Sequence, residues 1–445
     1  MGRIIRSVII LCLCISLAAC SADKASGASD GRGSSDPVLS EAKEIMQGIA
    51  EEEIASAQKY IMLLPCDESI YGSGNKDGFY RIRKREDGAF NILFSDYGTC
   101  TEVYLCTEPN CLHNTDHCTA WIPPANAQVW PAATDDTLYL LFNAWDGLSK
   151  IEAADLDGSN RRTICTFENG RSLNPGVAYK SGSLVVMTND VDKNTAVQSN
   201  ALIEIETQTG QVDTLYQSYS SQEVAYEKGA SCAFFLGITE TGFLVKKITI
   251  GDSPEIQYHD VYEIPFGTDK EVPVLSYKTG EMQSAAYSGG LAYIKNNVDS
   301  YEFGYIDTQT LEQHILCPDL KKIAVPYTFD DLFVRRFIGE WAIINSMNSI
   351  TVESNRDLEL TYKCYAINMR TSEIKEIRLS NHYNATTRPL EVYACFDDKL
   401  LVDAQVKEEK SDDGMMNRIT TTLGIISVED YLSSIANYSL INAEK

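Results

Sequence analysis

Past residue 19 the chain has no apolar run long enough to cross a bilayer. Basic residues are scarce as well: 38 Lys and Arg stand against 63 Asp and Glu, a formal charge of -25. That shortage argues against nucleic acid or anionic lipid headgroups as partners, because both are bound by Lys and Arg meeting phosphate. Histidine numbers only five, and no H-E-x-x-H occurs. No glycine-rich phosphate loop follows a strand and opens a helix. These gaps leave no motif that argues for an enzyme, although an active site gathered from distant segments would leave none.

The N-terminus carries an address. Arg3 and Arg6 precede an apolar run, Ser7 to Ser16, that is too short for a mature membrane span and reads as a signal peptide. The run ends in Leu17-Ala18-Ala19-Cys20. This pattern resembles the bacterial lipobox, in which cleavage frees the cysteine amino group and the sulfur carries lipid. The resemblance implies residues 1–19 as a leader, Cys20 as the lipidation site, and a place on the extracytoplasmic face of a membrane. Acyl chains contribute about 0.8 kcal/mol per buried methylene, so more than one chain holds durably. Loss of Arg3 and Arg6 leaves 36 basic residues against 63 acidic ones, a charge of -27.

Residues 20–36, small and polar after the cysteine, have the composition of a tether. Asp36 then offers a helix cap and Pro37 a first helical position. Leu39, Ala42, Ile45, Met46 and Ile49 recur at helical spacing, predicting one amphipathic helix over 37–60. From residue 61 to 445 the pattern changes to short β-branched and aromatic runs between Gly, Asp, Asn and Ser.

Two turn series recur in phase through that region. In the first, a turn of small or acidic residues leads into an apolar strand at Phe79, Leu138, Leu184, Phe243, Leu291, Trp341 and Leu400. The second series follows within each unit, at Asp96, Asp155, Thr207, Gly267, Asp307, Asn368 and Val428. A unit of about 40–60 residues with a buried strand and a hairpin is what a propeller blade needs, since one blade cannot bury both faces alone. The expected fold class is therefore all-β, a β-propeller of seven four-stranded blades behind one N-terminal helix. A pair of β-sandwiches is the structural alternative. The segment Asp155-Leu156-Asp157-Gly158-Ser159-Asn160-Arg161-Arg162 resembles the outer-hairpin signature of TolB-like and YWTD-type propellers. Their best-known members have six blades, so that resemblance keeps six possible.

Three cysteines and a histidine stand close together: Cys106, Cys111, His113 and Cys118, with His117 as a substitute ligand. Thiolates and imidazole are the donors of tetrahedral zinc. Disulfides are the other reading, suited to an exported protein, with Cys66 and Cys100 as further pairing candidates. Either way the cluster reads as a structural clip in the connection between blades 1 and 2, and structural zinc is the one cofactor it suggests. The stretch also resembles one in lipoproteins of Clostridia-like bacteria, a group with no assigned activity. That resemblance implies a fold and a location, and no reaction.

The acid pairs Asp135-Asp136, Asp330-Asp331 and Asp397-Asp398 read as turn residues. So does Asp155-Leu156-Asp157-Gly158, which lacks the later ligands of a calcium loop. His259, His314 and His382 each stand alone. The functional expectation is a membrane-anchored binding or scaffold propeller for a peptide, glycan or protein partner. The alternative is a hydrolase or lyase of cell-wall or dietary polysaccharide, with acids converging in the channel and Trp130, Trp145 or Trp341 stacking on sugar.

Overall fold

The structure is a computed structural model that describes residues 60–443, apart from 67–71, 145–146, 169–170, 192–196, 221–226, 322–330, 352–357, 384–385 and 411–416. The leader, Cys20, the tether and the expected helix up to residue 59 lie outside the described residues. Tyr60, the last residue of that expected helix, sits in coil just before the first strand.

The described residues fold into seven sheets of mainly antiparallel strands that follow one another along the chain, which makes a seven-bladed propeller. The second strand of each blade has sheets packed on both its faces. Sequences such as Leu138–Ala144 and Ser183–Val191 are accordingly near-continuous apolar runs with fully buried centres. The outer strand Val212–Tyr219 is exposed along most of its length and its apolar positions are few.

Both turn series fall where a blade requires them. The first lies between inner and second strands in all seven blades, for example between Ala127–Ala133 and Leu138–Ala144. The second lies after the third strand, as at Asp155, which sits between Lys150–Ala154 and Arg162–Thr166. In blade 7 that turn is a short helix instead, Val428–Leu432, whose N-cap Ser427 accepts from the Asp430 N–H at 3.0 Å.

Three features depart from seven plain four-stranded blades. Blade 6 carries an added hairpin, Ser380–Tyr383 with Thr386–Pro389. Blade 3 has a fifth strand, Ile61–Leu64, paired antiparallel to its inner strand Ser172–Lys180. The free edge of an inner strand faces the propeller axis, so Ile61–Leu64 lies in the central channel, and it touches the inner strands of blades 1, 2 and 4 as well. Leu63 and Leu64 pack between blades 2 and 3 with Trp130, Tyr139 and Leu141. Tyr60 packs between blades 3 and 4 against Phe243 and Phe266, each ring centroid 4.9 Å away. Cys66 lies so close to Gly176 that a Cβ there would sit 2.5 Å from its sulfur.

The third departure is at blade 1. Its third strand Phe90–Asp96 pairs with Thr101–Tyr104 near one end and with Trp121–Ile122 near the other. The outer strand is thus split, and the cysteine-rich loop fills the gap. This places the loop within the edge of blade 1 rather than in the connection to blade 2. The ring closes where Asn442–Ala443, beyond the last strand of blade 7, pairs in parallel with Thr101–Glu102 of blade 1.

Candidate metal centre and ligand cleft

Cys106, Cys111, His113 and Cys118 converge: one ligand atom from each lies within 4.8 Å of all the others. The local sequence explains how. Glu108-Pro109-Asn110-Cys111 is a turn closed by the Cys111 N–H on the Glu108 carbonyl at 3.3 Å, with Asn110 at φ 60°. Proline at the second position and a left-handed asparagine at the third are what a type II turn favours. His113 takes φ 52° and turns its ring onto Tyr104, stacked at 4.2 Å. Its Nδ1 stands 3.3 Å from the Cys118 sulfur. His117 points away and is 95 % exposed, so it is not part of the group.

A surrounding layer fixes these donors. The His113 carbonyl accepts from the buried Asn91 Nδ2 at 2.8 Å and from Arg85 Nη1 at 3.3 Å. The His113 N–H points at the Cys111 sulfur at 3.4 Å. Burial pushes the Cys118 thiol up to about 12. Burial also acts on Cys106, but hydrogen bonds led by the Glu108 backbone outweigh it and hold that thiol below its ordinary value. From blade 2, Arg161 donates to the carbonyls of Trp121 at 2.9 Å and of Thr119. Gly158 in the same turn, at φ 81°, comes so near that a Cβ would lie 2.9 Å from the Thr119 oxygen. None of Cys100, Cys106, Cys111 and Cys118 forms a disulfide.

The remaining sequence candidates fall out as follows. Asp135 and Asp136 lie in a turn organised by the Thr134 hydroxyl, which accepts from the N–H groups of Asp136 and Thr137. Asp397 is a left-handed turn residue at φ 49°. Asp155 accepts from Asn160 within its own turn at 2.6 Å. Asp330 and Trp145 lie outside the described residues. Trp130 is buried in the core at 2 % exposure, so it cannot stack on a ligand. His259 lies flat on Tyr277 at 4.8 Å, and His382 bonds to Thr387 at 3.0 Å.

Two sites went unrecognised in the sequence. A cleft of about 580 Å³ opens between blades 5 and 6, lined by Tyr287, Tyr305, His314, Glu340, Met369 and Arg370 among others. His314 stacks on Tyr305 at 4.6 Å, and Tyr287 meets Tyr305 edge-on at 5.4 Å. Glu340 and Arg370 pair at 3.2 Å on its rim. Nearer the axis, between blades 6 and 7, Glu391 pairs with Arg335 at 2.8 Å. The Asp403 carboxylate beside it accepts the Glu391 backbone N–H at 2.5 Å, and burial pushes it up to about 7. Residues so far apart in the chain carry no shared sequence signal.

No family model matches the chain, and no curated protein matches it. Among solved structures it is similar to oligopeptidase B from Leishmania major, at 8% identity and TM-score 0.47, covering 92% of this chain and 52% of that one. It is also similar to TolB from Acinetobacter baumannii, at 8% identity and TM-score 0.31, covering 82% of this chain and 79% of that one. A third is an α-L-arabinofuranosidase from Fusarium graminearum, at 11% identity and TM-score 0.33, covering 66% of this chain and 90% of that one. The chain spans about half the length of the peptidases it matches. The fold assignment rests on the seven sheets themselves.

Proposed function

We propose that this protein is a binding propeller held at the extracytoplasmic face of a membrane by lipid on Cys20, and that it takes a peptide or glycan in the cleft between blades 5 and 6. The observation that carries the reading is the strand Ile61–Leu64 in the channel. A propeller enzyme that gathers acids from several blades draws them from the inner strands around the channel, and here the chain's own N-terminal strand lies against the inner strands of blades 1 to 4. The cleft offers what small polar ligands use: aromatic faces at Tyr287 and Tyr305 for stacking, with a carboxylate and a guanidinium at the rim for orientation. The net acidic charge argues for a ligand other than nucleic acid.

The second reading, a polysaccharide hydrolase or lyase, has one observation in its favour. Asp403 and Glu391 are neighbouring carboxyl groups in environments that differ, as acid and base partners do. Asp403 is only 7 % exposed, however, and its carboxylate is engaged by backbone, so substrate does not reach it.

The test is binding of the mature protein, purified in detergent, to glycan and peptide arrays, with Tyr305→Ala in parallel. The reading expects a hit that weakens at least about tenfold in the variant, the loss of one good stacking contact or more. Binding unaffected by Tyr305→Ala would move the site elsewhere, and turnover of a polysaccharide would favour the second reading.

A further inference from the structure

We propose that Cys106, Cys111, His113 and Cys118 form a closed structural zinc site that welds the split edge of blade 1. The geometry is the first argument. A tetrahedron with zinc–sulfur bonds of about 2.3 Å and a zinc–nitrogen bond of about 2.0 Å has edges of about 3.8 Å between sulfurs and about 3.5 Å between sulfur and nitrogen. All four donors lie within 4.8 Å of one another, and the His113 Nδ1 to Cys118 sulfur edge is 3.3 Å. Small side-chain movements bring the set to ideal length. So tight a group suits one metal atom and not an iron–sulfur cluster, whose ligands stand on separate metals.

The donor set is the second argument. A disulfide consumes two thiols and leaves the third thiol and the imidazole unexplained, whereas three thiolates and an imidazole complete a tetrahedral shell. Zinc binding releases three thiol protons, and the resulting centre carries one net negative charge. Arg161 provides a neighbouring guanidinium, placed by its bonds to Trp121 and Thr119. The third argument is the layer behind the donors. Metal-bound histidines and thiolates are held by outer hydrogen bonds. Here Asn91 and Arg85 hold the His113 backbone, Tyr104 holds its ring, and an N–H points at the Cys111 sulfur.

The position gives the site a job. The loop interrupts the outer strand of blade 1 between Thr101–Tyr104 and Trp121–Ile122, so the two halves are held by their separate pairings to Phe90–Asp96 and by the loop that joins them. Thr101 and Glu102 are also the residues on which the C-terminal Asn442–Ala443 closes the ring. A zinc clip thus holds the strand that the closure uses.

The test is metal content by elemental analysis, together with native mass spectrometry, on the full-length mature protein and three variants. One zinc per chain is expected in the unaltered protein, in His117→Ala and in Cys395→Ser, with less than a tenth of that in Cys111→Ser. If Cys111→Ser fails to fold, cobalt(II) loaded into the chelator-stripped unaltered protein decides. Visible bands of a tetrahedral cobalt–thiolate centre support the proposal, and their absence overturns it. Unaltered protein that carries no metal and a mass two hydrogens short, with two of the three cysteines joined, also overturns it, as does full zinc retention in folded Cys111→Ser.

Discussion

Arg161, in the outer turn of blade 2, donates through Nη1 to the carbonyl oxygen of Trp121 in blade 1 at 2.9 Å. With its further bond to Thr119, one side chain ties two neighbouring blades at the base of the cysteine loop. Arg161→Ala removes charged donors from two part-buried backbone carbonyls, which costs about 2–3 kcal/mol. Chemical denaturation measures the loss, and hydrogen exchange should quicken first over residues 105–122. An unchanged midpoint with unchanged exchange there would mean that the clasp holds nothing.

The channel strand makes a second prediction. Leu64 is 1 % exposed in the core between blades 2 and 3. Leu64→Ala deletes three buried carbons and costs about 2–5 kcal/mol, depending on how far the site collapses. Backbone amides of residues 61–64 should exchange as slowly as those of the inner strands. Rapid exchange in the unaltered protein would show that the strand does not occupy the channel.

Both turn series were legible because a propeller turns its chain at the same two places in every blade, and those turns need Gly, Asp, Asn or Ser. Seven blades follow from them. The channel strand was not legible: Ile-Met-Leu-Leu is a short apolar run, and nothing local says which sheet edge it joins. The four metal-ligand candidates were visible because they share one loop. Sequence alone makes His113 the fourth ligand and keeps His117 as a substitute, since both stand between Cys111 and Cys118; the turn at Glu108 to Cys111 with the Tyr104 stack favours His113. Arg161 stood inside the quoted outer-hairpin segment, but its reach to another blade depends on tertiary placement. The cleft combines residues of two blades and leaves no trace in either alone.

A third prediction concerns pH. Burial raises Asp403 to about 7 in the folded protein from an ordinary value of 3.8. Its proton is held by the folded state and lost by the unfolded chain between those values. Its contribution to stability is therefore full below about pH 4, falls as pH rises toward 7, and is flat above, a total of up to about 4 kcal/mol. His259 runs the other way: burial depresses it from 6.5 to about 4, so its contribution is present above pH 6.5 and lost as pH falls toward 4. The difference between the unaltered protein and Asp403→Asn isolates the first effect. The asparagine keeps an oxygen for the Glu391 N–H, so the variant should gain stability relative to the unaltered protein as pH rises from 4 to 8. A constant difference across that range would show that Asp403 titrates normally.

The most direct test of the account is the mass of the mature N-terminal peptide after proteolysis of membrane-extracted protein. A membrane-anchored binding propeller predicts a peptide that begins at Cys20, lacks residues 1–19 and carries the mass of attached lipid, and it predicts that Cys20→Ala abolishes both the modification and the retention in membranes. An unmodified N-terminus at another residue, or tight membrane association of the Cys20→Ala protein, would contradict it.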